Sequence, residues 1–366
     1  MNSKGLRELA IIIIITILGT YFFSYVAFIV FQNKYPSSLL EIWKHWDTVG
    51  YLDIAERGYS STTVGERHLR IVFFPFYPFL IRLFAFVFKN YMLSALIVSN
   101  LAYVFAAYHL YKLVLLDYPK ETAIRAVIYL SIFPTSYFLH AAYTESAFLA
   151  LTIGSFYYAR KEKWFISSLV GMFACATRIN GVVMIPALLT EYLLQRGFKI
   201  RNTKKDILWI ALVPLGFVSY LIINYIIFDD PFKFIEFQKG HWTKTLTYPW
   251  IGLLGAWGGA LWLPPANRIL VGWAELIFGV FGFILTLWSV FYLRKYYVIY
   301  MFITLLTITS TLFWLSIPRY TLSMFPIFIS LSLIGRREEL NYSIIFVSLL
   351  FLGLFFTLFI RGGWAF

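Results

Sequence analysis

The stretch Ile71–Phe88, IVFFPFYPFLIRLFAFVF, decides how the rest of this chain is threaded. A straight membrane-spanning helix needs about 20 apolar residues. This stretch falls just short, and Pro75, Pro78 and Arg82 interrupt it. Proline inside a helix removes a donor and clashes with the preceding turn. The stretch therefore reads as a short span, or as an interfacial or re-entrant helix, and not as a full crossing. Every later crossing inverts if this one is complete. If it turns back, the clusters Arg160–Lys163, Arg196–Lys205, Arg294-Lys295 and Arg336-Arg337 share a side with Lys4 and Arg7. That is the positive-inside pattern. If it crosses fully, the pattern fails.

Composition leads to the same class. The chain has 366 residues, 60% hydrophobic and 21% aromatic, with only 13% charged. Soluble domains carry about 25% charged residues, so this is read as an all-α polytopic membrane protein, one integral-membrane domain over residues 1–366. The formal charge of +13 does not call for nucleic acid, because Lys and Arg collect in cytoplasmic loops. Cys175 is the only cysteine and excludes an intrachain disulfide. Leu6–Phe31 is too long for a signal-peptide core and no small-residue cleavage site follows. It reads as an uncleaved first span, roughly Leu9–Phe31, with the N-terminus cytoplasmic. The expected count is about 11 spans, with a first extracytoplasmic loop over 32–90 and a second over 229–268. Trp164–Leu194 is too long for one span and is broken by Thr177-Arg178-Ile179-Asn180-Gly181, with basic flanks on both sides. It predicts two short helices running out and back, with Arg178 at the turn.

The polar island Trp43–Pro78, WKHWDTVGYLDIAERGYSSTTVGERHLRIVFFPFYP, carries the first candidate chemistry. If Trp43–Gly58 is helical, Trp43, Asp47, Gly50, Tyr51, Ile54 and Gly58 share one face. Asp47 is the single carboxylate there. It suits a general base, or a carboxylate that orients an acceptor hydroxyl; the alternatives are a helix cap or a pair with Lys44 or Arg57. Asp53 and Arg57 read as a solvated i,i+4 pair. Glu145 and His140 stand near the outer end of a span and must face a cavity or a partner, unless they snorkel. Arg178 interrupts an apolar run, and a buried guanidinium wants an anion, either a phosphate or a carboxylate such as Glu145. Arg319, in Pro318-Arg319-Tyr320, makes the same case against an ordinary interfacial arginine. Asp229-Asp230-Pro231 offers oxygen ligands for a divalent cation or, alternatively, a turn and helix start. His241 and Trp242 offer a sugar-stacking surface or an interface belt. Scattered His and one Cys give no zinc pattern, and neither a P-loop nor GxGxxG is present.

Carboxylates and aromatics outside, arginines near membrane depth and long apolar helices together suit an amphipathic substrate, a lipid-phosphate-linked sugar. Trp46-Asp47, Tyr51, Ile54-Ala55, Gly58-Tyr59, Phe73-Phe74-Pro75 and Tyr77-Pro78 resemble the opening of the PIG-V family of GPI mannosyltransferase 2 type. Tyr143-Thr144-Glu145-Ser146, Thr177-Arg178 with Asn180-Gly181, and Pro318-Arg319-Tyr320 are similar to later motifs of that family, in the same order. The resemblance implies a GT-C-like glycosyltransferase fold with its catalytic acid in the first extracytoplasmic loop. It also implies a polyprenyl (dolichyl) phosphate mannose donor, and a lipid-linked or glycolipid acceptor. By match to the motif, Asp47 would be the catalytic carboxylate. Arg178 and Arg319 are expected to meet the donor phosphate. His45, Trp46, Tyr51, Tyr77, Glu145, Asn180, Tyr320, His241 and Trp242 are expected around the substrate. Such enzymes often carry paired acids in this loop; Trp46-Asp47-Thr48 offers one, so a divalent cation stays an open option and no metal ligands are assigned. The remaining partners are membrane lipids, in the cell membrane of a prokaryote or the endoplasmic reticulum of a eukaryote. The alternative function is a transporter or flippase of a lipid-linked saccharide, using the same arginines and aromatics without Asp47 as a base.

Overall fold

The computed structural model describes residues 3–366. It opens on α1 (Ser3–Gln32), an apolar helix about 45 Å long at 1.5 Å per residue. A 3₁₀ turn, Glu41–Trp43, leads to α2 (Asp47–Arg57), and a 3₁₀ segment, Val64–Val72, leads to α3 (Phe76–Phe88). The centre of the bundle follows as α4 (Tyr91–Val114), α5 (Lys120–Ser131), α6 (Glu145–Arg160), α7 (Trp164–Thr177) and α8 (Met184–Gln195). A 3₁₀ segment, Lys205–Leu212, runs into α9 (Leu215–Phe228). The second large loop holds α10 (Lys233–Trp242) and α11 (Pro249–Trp262). The short α12 (Pro265–Asn267) and a π-helical turn, Arg268–Trp273, continue into α13 (Ala274–Tyr292). The chain ends with α14 (Lys295–Thr309), α15 (Ile317–Leu322), α16 (Pro326–Ile334) and α17 (Glu338–Ile360).

The fold is thus the all-helical polytopic one expected, and the chain is an integral membrane protein. The span count differs from the expectation. Among the described residues, five helices are long and apolar enough to cross a membrane, or six if a bent pair counts as one span. Several of the remaining expected crossings, such as α5, α6 and α16, are helices of 12, 16 and 9 residues. Ala123–His140 is an example. Helix α5 stops at Ser131, and the chain then runs irregularly through Pro134 and a 3₁₀ turn, Ser136–Leu139.

Ile71–Phe88 is the bent pair. Val64–Val72 and Phe76–Phe88 meet at 119°. The prolines start the second helix; they do not break it. Pro75 is the N-cap and Pro78 lies in the first turn, where the missing N–H is harmless. At 13 residues α3 is about 20 Å long, short of a hydrocarbon core of about 30 Å. Arg82 reaches back to the last carbonyls of α2, with Nε 2.6 Å from the Ala55 oxygen. Tyr220 of α9 donates to the Ile71 carbonyl at 2.6 Å and stacks on Phe74. The bend is therefore pinned from two sides.

Helices α7 and α8 form the expected out-and-back pair. Trp164, at the start of α7, meets Tyr192 near the end of α8 at 4.9 Å, and Arg196 pairs with Glu162 at 3.1 Å. Helices α4, α6 and α7 pack side by side at the centre of the bundle. Polar clusters mark the two ends of α6. At its C-terminal end Arg160 grips Asp117 with both terminal nitrogens, and Glu191 pairs with Arg294 at 2.9 Å. At its N-terminal end stands Glu145.

Candidate active site

Four residues from four distant parts of the chain meet at the N-terminal end of α6. Arg319 Nη1 lies 2.9 Å from Asp47 Oδ2, and its Nε lies 2.5 Å from Glu145 Oε1. Arg178 Nη1 donates to the same Glu145 oxygen at 2.5 Å and to Thr144 Oγ1 at 3.3 Å. Each is placed by a break in a helix. Asp47 opens α2 after Trp46, whose φ of 51° turns the chain sharply. Glu145 opens α6, Arg178 is the extended residue ending α7, and Arg319 lies in the two-turn α15. Acidic residues in a first turn also suit the helix macrodipole.

The four differ in access. The Glu145 side chain is fully enclosed, those of Arg319 and Arg178 are 10% and 12% exposed, and that of Asp47 is 34% exposed. Asp47 is thus the carboxylate of the cluster that a substrate can reach. Among the described residues, its Oδ1 makes no hydrogen bond, while Oδ2 is held by Arg319. Burial raises the pKa of Glu145, but Arg319 and Arg178 outweigh it and hold this carboxyl below its ordinary value. Glu145 is accordingly an anchor for two arginines. Arg178 makes the carboxylate pairing that its sequence context left open. Arg319 is buried and bridging, not an ordinary interfacial arginine.

Aromatic side chains wall the cluster. The Arg319 guanidinium lies 4.6 Å from the Tyr143 ring centre and 4.9 Å from that of Phe138. Tyr51 is buried against Phe73, Tyr77 and Tyr143. Helix α2 buries Gly50, Tyr51 and Ile54, the expected face, but Trp43 belongs to the separate 3₁₀ turn. Gly50 is required there: a Cβ would lie 2.6 Å from the Phe73 ring. Among the described residues, Asp47 makes no capping bond and no pair with Lys44 or Arg57.

The remaining candidates divide. Tyr320 sits between Arg178, 5.3 Å from its ring centre, and Lys244, whose Nζ is 2.8 Å from its hydroxyl. Asn180 is buried in the 3₁₀ turn after Arg178. The His45 carbonyl accepts from Tyr143 at 3.3 Å, and burial holds the His45 imidazole below its usual pKa, so the ring is neutral near pH 7. Trp46 is half exposed, stands edge-on to Trp364 at 5.5 Å and donates to the Gly363 carbonyl. Tyr77 is fully buried and its hydroxyl is bonded to Ser99 at 2.8 Å, so it supports the wall from behind. His241 and Trp242 stand apart in the second large loop. Their rings meet each other at 4.5 Å, and among the described residues neither bonds to the cluster. Asp53 is no solvated residue either. It is 12% exposed and gathers Arg57, Arg67 and Arg70, tying the loop after α2 back onto that helix. Asp230 makes the turn reading, accepting from the Phe232 N–H at 2.8 Å.

Three contributors escaped sequence reading. Glu275 of α13 is fully buried and accepts from the backbone N–H of Ser316 and Ile317, each at 2.7 Å, just ahead of Arg319. Lys244 comes from the second large loop, and Trp364 from beyond α17. A charged residue inside an apolar run is the signal that could have found Glu275; Lys244 and Trp364 had none.

A family model described as dolichyl-phosphate-mannose-protein mannosyltransferase matches residues 74–224. The match includes Glu145 and Arg178 and leaves out Asp47 and Arg319. No curated protein matches the chain significantly. Among solved structures, the Archaeoglobus fulgidus oligosaccharyltransferase tethered with an acceptor peptide containing the NVT sequon is 13% identical, with a TM-score of 0.45 over 98% of this chain and 55% of that one. The same enzyme in complex with Zn and sulfate is 14% identical, also at 0.45, over 95% of this chain and 52% of that one. The chain thus spans about half the length of these structures.

Proposed function

We propose that the protein is a membrane glycosyltransferase of GT-C type. It moves a hexose, mannose by the family match, from a polyprenyl (dolichyl) phosphate donor to a hydroxyl of a lipid-linked or glycolipid acceptor on the extracytoplasmic face. The observation that carries this reading is the cluster of Asp47, Arg319, Glu145 and Arg178, in which Asp47 alone among the acids is open to a substrate. The family model over residues 74–224 supports the same class. A PIG-V-like acceptor belongs to this proposal on the motifs of the sequence.

The chemistry follows from the positions. The acceptor hydroxyl donates to Asp47 Oδ1. As its oxygen bonds to the sugar C1, its proton passes to that carboxylate. The bond from C1 to the phosphate oxygen breaks, and the electron pair leaves with the phosphate. Arg319 fixes Asp47 Oδ2 and keeps the other oxygen aimed outward. Asp47 and Glu145 are the acids of the cluster, and the Arg319 guanidinium lies between them, where a shared cation would have to sit.

The test is incubation of purified protein in nanodiscs with radiolabelled polyprenyl-phosphate-mannose and a lipid extract of its source. Wild-type protein is expected to label a lipid, and Asp47→Asn to lose at least about 100-fold in rate, the usual contribution of a general base. Full activity in that variant would remove Asp47 from the chemistry. Translocation of the donor across vesicles without transfer would favour the flippase.

A further inference from the structure

We infer that Lys244, held against Tyr320, forms the anion-binding half of the site and takes the phosphate of a polyprenyl phosphate ester. The inference deepens the function proposed above and rests on it for the lipid part of the ligand. It reverses the assignment that sequence alone suggests, in which Arg178 and Arg319 receive the phosphate.

The charges decide it. Arg319 is engaged by both Asp47 and Glu145, and Arg178 by Glu145. Two cations thus answer two carboxylates. Lys244 is the third cation; among the described residues no acid lies within ion-pair distance of it, and the buried Glu275 feels it only through the longer-range field. Its ammonium donates to the Tyr320 hydroxyl at 2.8 Å and stands 4.9 Å from the ring centre. Arg178 lies 5.3 Å from the same ring centre. The phenol therefore couples a cation that has no direct ion pair to the paired cluster. Burial raises the pKa of Tyr320, but Lys244, Arg178 and Arg319 outweigh it and hold the phenol below its ordinary value, as a positive local field requires. An ammonium keeps two further donors once one is bound to a hydroxyl, and a phosphate oxygen is the acceptor they suit. The second loop delivers the lysine. Thr243 turns the chain at a φ of 51°, and the Thr247 N–H to Ser310 carbonyl bond at 3.0 Å, with the reciprocal Leu312 to Thr245 bond, clips this loop to the segment after α14.

The test measures binding of polyprenyl phosphate, polyprenol and inorganic phosphate to the full chain in nanodiscs, for wild type, Lys244→Ala and Lys244→Arg. Wild type is expected to prefer polyprenyl phosphate to polyprenol. K244A should lose at least about tenfold for polyprenyl phosphate and nothing for polyprenol, and K244R should restore most of the loss. Inorganic phosphate bound as tightly as polyprenyl phosphate, and lost in K244A, would keep the anion site and replace its lipid ligand by free phosphate. Equal polyprenyl phosphate binding by wild type and K244A overturns the inference. The two readings separate cleanly: transfer by wild type with K244A unaffected sinks the lysine alone, whereas Lys244-dependent binding without any transfer sinks the enzyme alone.

Discussion

Arg319 joins two carboxylates, Asp47 and Glu145, that precede it by 272 and 174 residues, and its guanidinium is enclosed while it does so. Removing one member of such a buried network leaves uncompensated charge, which costs about 3–5 kcal/mol. Arg319→Ala is therefore expected to destabilise the protein by about 3 kcal/mol, read as a large drop in melting temperature in detergent. Arg319→Lys should lose less, since it keeps the charge but not the fork that reaches both acids. A wild-type melting curve for R319A would refute the network. Glu145 adds a pH signature. Its folded pKa lies below the unfolded value near 4.3. Its contribution is thus fully present above that value and fades as pH falls through the folded one. The melting-temperature gap between wild type and Glu145→Gln should be wide at neutral pH and narrow in acid. A gap independent of pH would mean that Glu145 is not ionised in the native state.

At the level of elements, the site is made of helix ends, and each end is fastened by something outside it. Helix α15 is fixed by the Glu275 carboxylate on the Ser316 and Ile317 N–H groups, with Ser316 at a φ of 71°. A hydrogen bond of this kind is worth about 0.5–1.5 kcal/mol. Glu275→Ala should therefore let Arg319 drift and reduce transfer far more than Glu275→Gln, which keeps an acceptor in place; equal activity in the two variants would show that the carboxylate only fills space. The start of α2 depends on Gly50, whose missing side chain admits the Phe73 ring. Gly50→Ala overpacks this contact and should cost about 1–3 kcal/mol. Phe73→Leu in the same chain should recover part of that in a thermal melt. If the double variant is no better than G50A, the close approach is not the reason for glycine.

Across the whole molecule, α6 separates two polar ends. One holds Arg160, Asp117, Glu191 and Arg294; the other holds Asp47, Glu145, Arg178 and Arg319. From the charge pattern we propose that the first end faces the cytoplasm. Impermeant maleimide labelling checks this directly, because the native Cys175 is buried and gives little background. A cysteine at the exposed Glu66 should label from outside on intact cells or vesicles. One at the exposed Lys161 should label only after permeabilisation. The reverse pattern would invert the topology and place the site in the cytoplasm.

Sequence by itself determined the class of fold and much of the site's membership. An apolar chain cannot cover itself with charge, so it enters the membrane, and the basic clusters order its loops. The turn at Arg178 was legible because a guanidinium in an apolar run is costly, and the bend in Ile71–Phe88 because Pro75, Pro78 and Arg82 interrupt the run; that the prolines start a helix was not. Only the tertiary structure decided what these residues do to one another. Spacing along the chain says nothing of an Arg319–Asp47 contact between sites 272 residues apart, nor that Arg178 would be spent on Glu145. It likewise set Lys244 apart as the cation of the site without a direct ion pair and Tyr77 as a buried support. The number of spans also lay beyond composition, because apolar runs such as Ala123–His140 end their helices early to build the irregular outer wall on which Glu145 stands. Hydropathy is a local sum over neighbours in sequence. Charge compensation and burial are decided by neighbours in space.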